Sequence, residues 1–256
     1  MVNEHRSTSR ILDILEMLAS ATNGYTLTEI ARQIDAPKSS IFPILHTMLE
    51  RHYVSLDSNS GRYSIGVSTF AVGSTYMNSK SLLSHLNAGM NELVDVCNET
   101  CSMGVLDGSN VLYVSKIDSP QSLRLVTRVG KRIPANCTAL GKALLSRRSY
   151  DELKEIFPEK MSACTKYSIT NLDKLYSEIE KVELNGFAYE NQEFAEQILC
   201  IAVPISRNGN IVAAISVSIP SFRYDEKKLE IVKSELKKLK LRAELILRNY
   251  NGEVSI

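Results

Sequence analysis

The stretch TLTEIARQIDAPKSSIFPILHTMLER, residues 26–51, decides the fold of the N-terminal part of the chain. Thr26 followed three residues later by Glu29 is the pattern of a capping box, which begins a helix. Apolar residues at helical spacing continue to Ile34, and Asp35-Ala36-Pro37 then forms a tight turn. Helical periodicity resumes after the turn, through Ile41, Leu45, Met48 and Leu49. The stretch therefore predicts two short helices joined by a turn, the outline of a helix-turn-helix.

The flanking segments extend this outline to a winged helix-turn-helix over residues 1–67. Apolar residues from Ile11 to Leu18 predict a first helix, and the runs Tyr53–Leu56 and Arg62–Ile65 predict a β-hairpin, the wing. On the last helix the side chains predicted to point outward suit phosphates and base edges: Lys38, Ser39, Ser40, Thr47 and Arg51. The alternative is a small helical domain that binds protein, which would more often expose apolar anchors there.

Pro43 is the unusual residue of this last helix. Inside a helix, proline removes one hydrogen bond and clashes with the preceding turn, at a cost of ~3 kcal/mol or more. In the first turn the cost is small, because those N–H groups have no partner within the helix. The sequence therefore predicts that the helix begins late, with Ser39 or Ser40 as its cap.

Composition places the chain among soluble proteins of more than one domain. Its 256 residues exceed the usual size of one domain, 44% are hydrophobic, and 23% are charged. The apolar runs are too short to cross a bilayer, and residues 1–10 lack the apolar core of a signal peptide. The five cysteines are irregularly spaced, which is typical of reduced thiols in the cytoplasm. We therefore expect a cytoplasmic protein without a membrane partner.

The charge balance gives no independent support for nucleic-acid binding. The net charge is +1, and residues 1–78 contain six Lys and Arg against seven Asp and Glu. A strongly basic domain would have argued for DNA on electrostatics alone. Here the prediction rests on the local pattern, and we expect few phosphate contacts for each subunit.

The rest of the chain predicts a linker helix at 68–81 and an α+β domain over 82–256. Turns at Asp107–Asn110 and Arg207–Asn210 separate pairs of apolar runs, which predicts two hairpins. Leu123–Val126 is predicted as a further strand. Helices are expected at 82–99, after Thr138, at 151–157, at 172–185 and along the lysine-rich tail 225–249. Helices gathered on an antiparallel sheet form an α+β domain.

Motifs along residues 9–225 resemble the IclR-type bacterial transcription regulators. The matching stretches include Leu27–Ala31, Pro37–Ile41, Gly61–Gly66, Thr138–Ala143 and Cys200–Pro204. The resemblance implies a DNA-binding regulator, with a repressor favoured over an activator, that acts as a homodimer or a dimer of dimers (a homotetramer) on an operator. By this likeness Lys38, Ser39 and Ser40 of the recognition helix and Arg62 of the wing contact double-stranded DNA. Pro43 stands where the family usually has a basic residue, which predicts an unusual operator or a greater share of readout by DNA shape.

The resemblance also implies a GAF-like sensor domain that binds an effector, a small organic acid or sugar acid. The residues that it places around the effector are Leu125, Ile133, Thr138, Ala139, Leu140, Glu190 and Cys200. The backbone N–H groups at the start of the helix after Thr138 could bind an anionic group of the effector. Gln197 and Leu199 depart from the glycine and arginine that are common before the family's cysteine.

Other chemistry finds less support in the sequence. Gly141-Lys142 lacks the glycine and hydroxyl residue of a Walker loop, since Asn136 and Ala143 occupy those positions. Cys97 and Cys101, expected four apart on a helix, are either a metal pair or, more in keeping with the absence of nearby histidines, buried core residues. We expect no metal and no cofactor. The enzyme alternative is a GAF-type reaction in which Cys200 beside Glu190 acts as a nucleophile on a small metabolite.

Overall fold

The computed structural model describes residues 5–77, 82–125 and 127–249. The chain divides into two compact units, Met1–Ser81 and Leu82–Ile256. The linker predicted at 68–81 corresponds to a helix at Val67–Met77, and residues 78–81 lie outside the described ranges. Among the described helices, not one is both long enough and apolar enough to cross a membrane.

The first unit is the predicted winged helix-turn-helix. Its elements are α1 (Arg6–Ser20), β1 (Tyr25–Thr26), α2 (Leu27–Gln33), α3 (Lys38–Glu50), β2 (Val54–Asp57), β3 (Arg62–Ile65) and α4 (Val67–Met77). The three strands form an antiparallel sheet in the order β1-β3-β2. Apolar side chains from all three helices of the motif form the core, among them Ile14, Ile30 and Leu45. The capping box is confirmed: the Glu29 N–H donates to Thr26 Oγ1, and the Thr26 N–H donates to Glu29 Oε2.

The late start predicted for the recognition helix is wrong. Helix α3 begins at Lys38, with Pro37 as its N-cap and no capping side chain, so Ser39 and Ser40 lie within its first turn. Pro43 is therefore the sixth helical residue rather than part of the first turn. Proline has no N–H to donate to the carbonyl of Ser39, four residues earlier. Ser39 and Pro43 are both exposed, so water can bond to that carbonyl instead. The apolar contacts of Ile41, Leu45 and Met48 with the core hold the helix on both sides of the proline.

The second unit is the predicted α+β domain. Its elements are α5 (Leu82–Cys97), β4 (Thr100–Asp107), β5 (Asn110–Ile117), β6 (Arg132–Pro134), α6 (Ala139–Leu145), α7 (Tyr150–Ile156), α8 (Leu172–Asn185), β7 (Ala188–Asn191), β8 (Ile198–Arg207), β9 (Asn210–Pro220) and α9 (Glu226–Asn249). One antiparallel sheet runs in the order β6-β5-β4-β9-β8-β7. Helices α5 and α9 pack on one face, and α6 and α8 pack on the other. The GAF-like arrangement is thereby confirmed.

The described part of the strand predicted at Leu123–Val126 does not form a strand. Leu123–Leu125 lies outside every strand, and Val126 is not among the described residues. The edge of β5 pairs instead with residues 130–134: the N–H of Tyr113 donates to Lys131, and the N–H of Gly130 donates to Tyr113. Because this edge is already paired, the alternating residues 123–125 have no strand partner there.

Candidate functional site

The outward face of α3 is the first candidate site. Lys38, Ser39 and Thr47, predicted from the sequence to contact DNA, are exposed, and Ser40 is half-buried. The apolar residues Ile41, Leu45 and Met48 occupy the opposite, buried face. The exposed face also presents residues that sequence reasoning did not single out as contacts: Phe42, Pro43 and His46. The ring centroids of Phe42 and His46 lie 6.1 Å apart.

The guanidinium group of Arg62 forms hydrogen bonds within the first unit. Its Nη1 donates to Glu29 Oε2 at 3.1 Å and to the carbonyl of Gly24 at 2.9 Å. Glu29 is the residue that completes the capping box of α2, and Arg62 pairs in the sheet with Thr26. The hydrogen bonds from Thr26, together with Arg62, lower the pKa of Glu29. The arginine therefore joins the base of the wing to the start of α2.

The second candidate site is a group of polar side chains on the sheet face that packs against α6. Strand register pairs Ser102 with Ser216, Ser218 with Cys200, and Cys200 with Glu190, across four neighbouring strands. Side chains alternate along a strand, and the neighbours of Ser102, Ser216 and Ser218 face α5 and α9, so these serines face the other side. We call this group the polar floor: Ser102, Glu190, Cys200, Ser216 and Ser218.

The polar floor contains hydrogen-bonding capacity that the described protein atoms leave unused. Ser102 Oγ is buried and has no hydrogen-bond partner among the described residues. Buried polar atoms in folded proteins almost always have a partner, so an unpaired one indicates a place for water or a ligand. Tyr113, on β5, belongs to the same packed cluster as α6. Burial, with a smaller effect from Cys200 and Glu190, raises its pKa, so its hydroxyl remains a neutral donor.

The two edges of the sheet approach each other above this face. Lys131 precedes the edge strand β6, and its Nζ lies 5.3 Å from the ring centroid of Phe194, which follows the opposite edge strand β7. A contact between opposite edges requires a curled sheet. The polar floor therefore lies in the concavity, with α6 as one wall.

The structure brings most of the predicted effector residues to this concavity. Ile133, Ala139 and Leu140 belong to the apolar cluster on this face, and Cys200 packs against it. Glu190 lies beside Cys200 in the sheet. Leu125 is buried in the segment between β5 and β6, but it is not part of that cluster.

Thr138 acts as the N-cap of α6. Its Oγ1 accepts a hydrogen bond from the Gly141 N–H at 2.9 Å, so the helix end is in part satisfied by its own chain. All seven residues of α6 are buried. An added Cβ at Gly141 would lie 2.0 Å from the Ala135 carbonyl oxygen, so only glycine permits this close approach.

Two buried carboxylates, Glu190 of the polar floor and Glu193, have different environments. Glu193 Oε1 accepts a hydrogen bond from Lys142 Nζ at 2.6 Å, and both side chains are almost completely buried. Glu190 instead accepts hydrogen bonds from the backbone N–H groups of Glu193 and Phe194. Burial raises the pKa of Glu190, and these N–H groups oppose that rise. Sequence reasoning did not find the Lys142–Glu193 pair, because the two residues are 51 positions apart.

Cys200 has the environment of an inert thiol. Its Sγ lies 3.2 Å from Ser218 Oγ, and burial together with the Glu190 carboxylate raises its pKa well above the ordinary value for cysteine. A thiolate is the reactive form of cysteine, so this environment opposes the enzyme alternative. Of the two alternatives for Cys97 and Cys101, a metal pair or buried core residues, the structure shows the second. However, Cys101 lies on β4 and not on the helix that ends at Cys97.

We expect Cys200 to resist alkylation by iodoacetamide at pH 7.5, because its raised pKa keeps the sulfur protonated. Cys164 is exposed and serves as the internal control. Mass spectrometry of peptides from the folded protein should show Cys164 labelled first, with Cys200 labelled at a comparable rate only after denaturation. Equal labelling of both in the folded protein would contradict this assignment.

The small polar residues of the floor were missed from the sequence, although a signal for them exists. In the stretch ISVSI, residues 215–219, serine alternates with large apolar residues inside a strand. Such alternation indicates a strand with one apolar face and one polar face. In the structure Ser216 and Ser218 are buried, so this polar face lies inside the unit and not at its surface.

Comparison with known proteins identifies the domains of both units. The family model "Bacterial transcriptional regulator IclR C-terminal" matches residues 74–244, and "IclR helix-turn-helix domain" matches residues 7–58. HTH-type transcriptional regulator KdgR of Escherichia coli (strain K12) is 32% identical over 226 residues, which are 88% of this chain and 86% of that protein. Transcriptional repressor IclR of the same organism is 27% identical over 222 residues, 85% and 81% of the two chains.

Among solved structures, an IclR homologue from Microbacterium hydrocarbonoxydans complexed with 4-hydroxybenzoate has the same fold. The TM-score is 0.79 at 19% identity, with 95% of this chain and 100% of that one covered. The family models together span both units of the chain. The chain therefore belongs to the IclR family of bacterial DNA-binding transcription regulators.

Proposed function

We propose that this protein is a repressor whose affinity for its operator is controlled by a small organic acid or sugar acid bound over the polar floor. The observation that carries the proposal is the buried, partly unpaired polar floor in a unit joined to a winged helix-turn-helix. The protein acts in the cytoplasm as a homodimer or a dimer of dimers, without a metal or a cofactor, and has no enzymatic activity. The raised pKa of Cys200 supports this last point.

In this proposal α3 lies in the major groove. Lys38 and Ser39 are exposed at the start of the helix, and Ser40 and Thr47 flank its outward face, where they can reach phosphates or base edges. For Arg62 the sequence prediction of a DNA contact stays a prediction. Its ion pair with Glu29 supports a positioning role, in which it holds the wing against α2.

The chemistry of the polar floor favours an effector that carries hydroxyl groups. The floor offers three serine hydroxyls and one buried carboxylate, all of which can accept from a ligand hydroxyl. Glu190 would repel a ligand carboxylate, so the acid group is placed away from it, towards Lys131 or the wall formed by α6. The IclR homologue solved with 4-hydroxybenzoate, an acid with one hydroxyl, supports this class of ligand.

Control of DNA binding requires that the effector bind differently to two states of the protein. The change in operator affinity can be no larger than that difference in effector affinity. Ordinary allosteric couplings amount to about 1–3 kcal/mol, or 5- to 150-fold in affinity. We expect effector binding to change operator affinity within this range.

The DNA-binding part is tested with the full chain and operators selected from random double-stranded DNA. Lys38→Ala should weaken binding to all sequences and reduce the salt dependence by about one unit of log affinity per log salt concentration for each subunit, as expected for one lost phosphate contact. Lys154→Ala, which removes an exposed lysine of the second unit, is the matched control. If replacing Lys38, Ser39, Ser40 and Thr47 together leaves binding unchanged, α3 does not contact DNA.

Glu190→Gln tests the effector site through stability. Because the folded-state pKa of Glu190 is raised, its contribution to stability is greatest below its unfolded-state pKa and is lost as the pH rises. Glutamine keeps the acceptor for the two backbone N–H groups but carries no charge. Thermal unfolding should therefore show a higher melting temperature for the variant at pH 7.5, with the difference disappearing towards a pH of about 4. The same variant should bind hydroxylated acids less tightly, and a less stable variant with unchanged binding would contradict the role of Glu190.

A further inference from the structure

The outward face of α3 has an apolar patch in the part that faces DNA in the proposed function. Phe42 is 51% exposed, and Pro43 beside it is exposed as well. Neither residue belongs to the described core of the first unit, whose contacts from α3 come from Ile41, Leu45 and Met48, with Ile44 and Leu49 packed against it. We call Phe42 and Pro43 the apolar patch.

Two neighbouring contacts shape this patch. His46 lies one turn after Phe42, with the two ring centroids 6.1 Å apart, so the phenyl ring has a neighbour that limits its rotamers. The Thr47 hydroxyl donates to the carbonyl of Pro43 at 2.9 Å. Its only proton is therefore engaged within the helix, and what Thr47 can offer to a base is its methyl group and its lone pairs.

The ligand that matches such a patch in the major groove is thymine. The 5-methyl group of thymine is the apolar group that a base pair presents there, and aromatic and methyl-bearing side chains contact it. A guanine, in contrast, is read by a bidentate arginine or lysine. Of the described residues of α3, only Lys38 is a cation, and it stands at the first position of the helix.

We propose that Phe42, supported by Pro43, reads the 5-methyl group of a thymine in each operator half-site, which makes Phe42 a specificity-determining residue. The proposal rests on the proposed function, since it requires that α3 lie in the major groove. It differs from that proposal in naming the base and the group that is read. Sequence preference at this position then comes from apolar contact and not from a hydrogen bond.

The experiment compares thymine with uracil, which lacks only the methyl group. Operators are selected from random double-stranded DNA with the full-length protein, and each thymine of the selected site is replaced in turn by uracil. One thymine position in each half-site should lose about fourfold in affinity on replacement, which corresponds to ~0.8 kcal/mol for one buried methyl group. Replacing thymine by uracil at the other positions should leave the affinity of the protein for the operator unchanged.

Phe42→Ala completes a double-mutant cycle. The variant should bind the thymine operator more weakly than the wild-type protein does and should no longer distinguish thymine from uracil at that position. Phe42→Leu, which keeps an apolar side chain, should retain part of the discrimination. The matched control is Phe222→Ala, which removes a phenylalanine of the second unit that is 65% exposed.

The outcomes separate this inference from the proposed function. If no uracil replacement matters to the wild-type protein while Lys38→Ala still weakens binding, α3 contacts DNA but Phe42 does not read a methyl group. If the wild-type protein selects no DNA sequence, the proposed function is wrong, and the inference that rests on it is overturned as well. If Phe42→Ala changes the oligomeric state and leaves the thymine preference intact, the apolar patch contacts protein and the inference is overturned. The uracil comparison uses the wild-type protein, so a folding defect of a variant cannot hide the result.

Discussion

Gly141→Ala will destabilise the second unit by more than about 3 kcal/mol. The added Cβ would lie 2.0 Å from the carbonyl oxygen, 2.4 Å from the Cα and 2.5 Å from the carbonyl carbon of Ala135. These are backbone atoms of a fully buried residue, so no side chain can rotate away to relieve the clash. Either α6 or the short turn at Ala135–Cys137 must move. Chemical denaturation followed by circular dichroism measures the loss.

Gly73→Ala is the control for this substitution. Gly73 lies in α4, and an added Cβ there meets no described atom within 4 Å. Alanine inside a helix is favoured over glycine by about 1 kcal/mol, so this variant should be neutral or slightly more stable. Since α6 forms a wall of the concavity proposed to bind the effector, Gly141→Ala should also abolish effector binding. A stable Gly141→Ala protein that still binds the effector would show that α6 has room to move.

Lys142→Met will cost about 3–5 kcal/mol of stability, as expected when one partner of a buried ion pair is removed. Lys142 is 1% exposed, and its Nζ donates to Glu193 Oε1 at 2.6 Å and to the Tyr189 carbonyl at 2.8 Å. Glu193 Oε2 is buried and already has no hydrogen-bond partner among the described residues. Methionine would therefore leave a buried carboxylate without its compensating charge. Denaturant unfolding at pH 7.5 measures the effect.

The double variant Lys142→Met, Glu193→Gln identifies the cause of that loss. Glutamine removes the uncompensated charge, so the double variant should recover a large part of the lost stability. Lys238→Met removes an exposed lysine that pairs with the half-buried Glu235 on α9, and it should change stability by no more than ~0.5 kcal/mol. A Lys142→Met protein as stable as the Lys238→Met control would mean that water reaches Glu193.

Local sequence signals predicted much of the fold. Thr26 and Glu29 form the capping box that their spacing predicted. Asn208 and Gly209 form the predicted two-residue turn between β8 and β9, both with positive φ, at 50° and 85°. Each of these features depends on residues within a few positions of each other. Local chemistry alone is sufficient to specify them.

Features that depend on distant residues could not be predicted in this way. Leu123–Leu125 alternates like a strand, but the edge that it would need is taken by residues 130–134. Pro43 lies inside α3, a helix that is held by its contacts with α1 and α2, and local propensity does not include these contacts. The polar floor brings together Ser102, Glu190 and Ser216, which are up to 114 positions apart, and only the strand order reveals that they are neighbours.

The ion pair between Arg62 and Glu29 has a consequence for how such a regulator would find its operator in a genome. One of the few cations of the winged helix-turn-helix is matched by an internal carboxylate, and the unit as a whole is close to neutral. Attachment to bulk chromosomal DNA depends on such cations, so each encounter with a random site would be brief. A chromosome offers about 10⁶–10⁹ competing sites, and weak attachment to them leaves more of the protein free. A small number of molecules per cell would then be enough to keep one operator occupied.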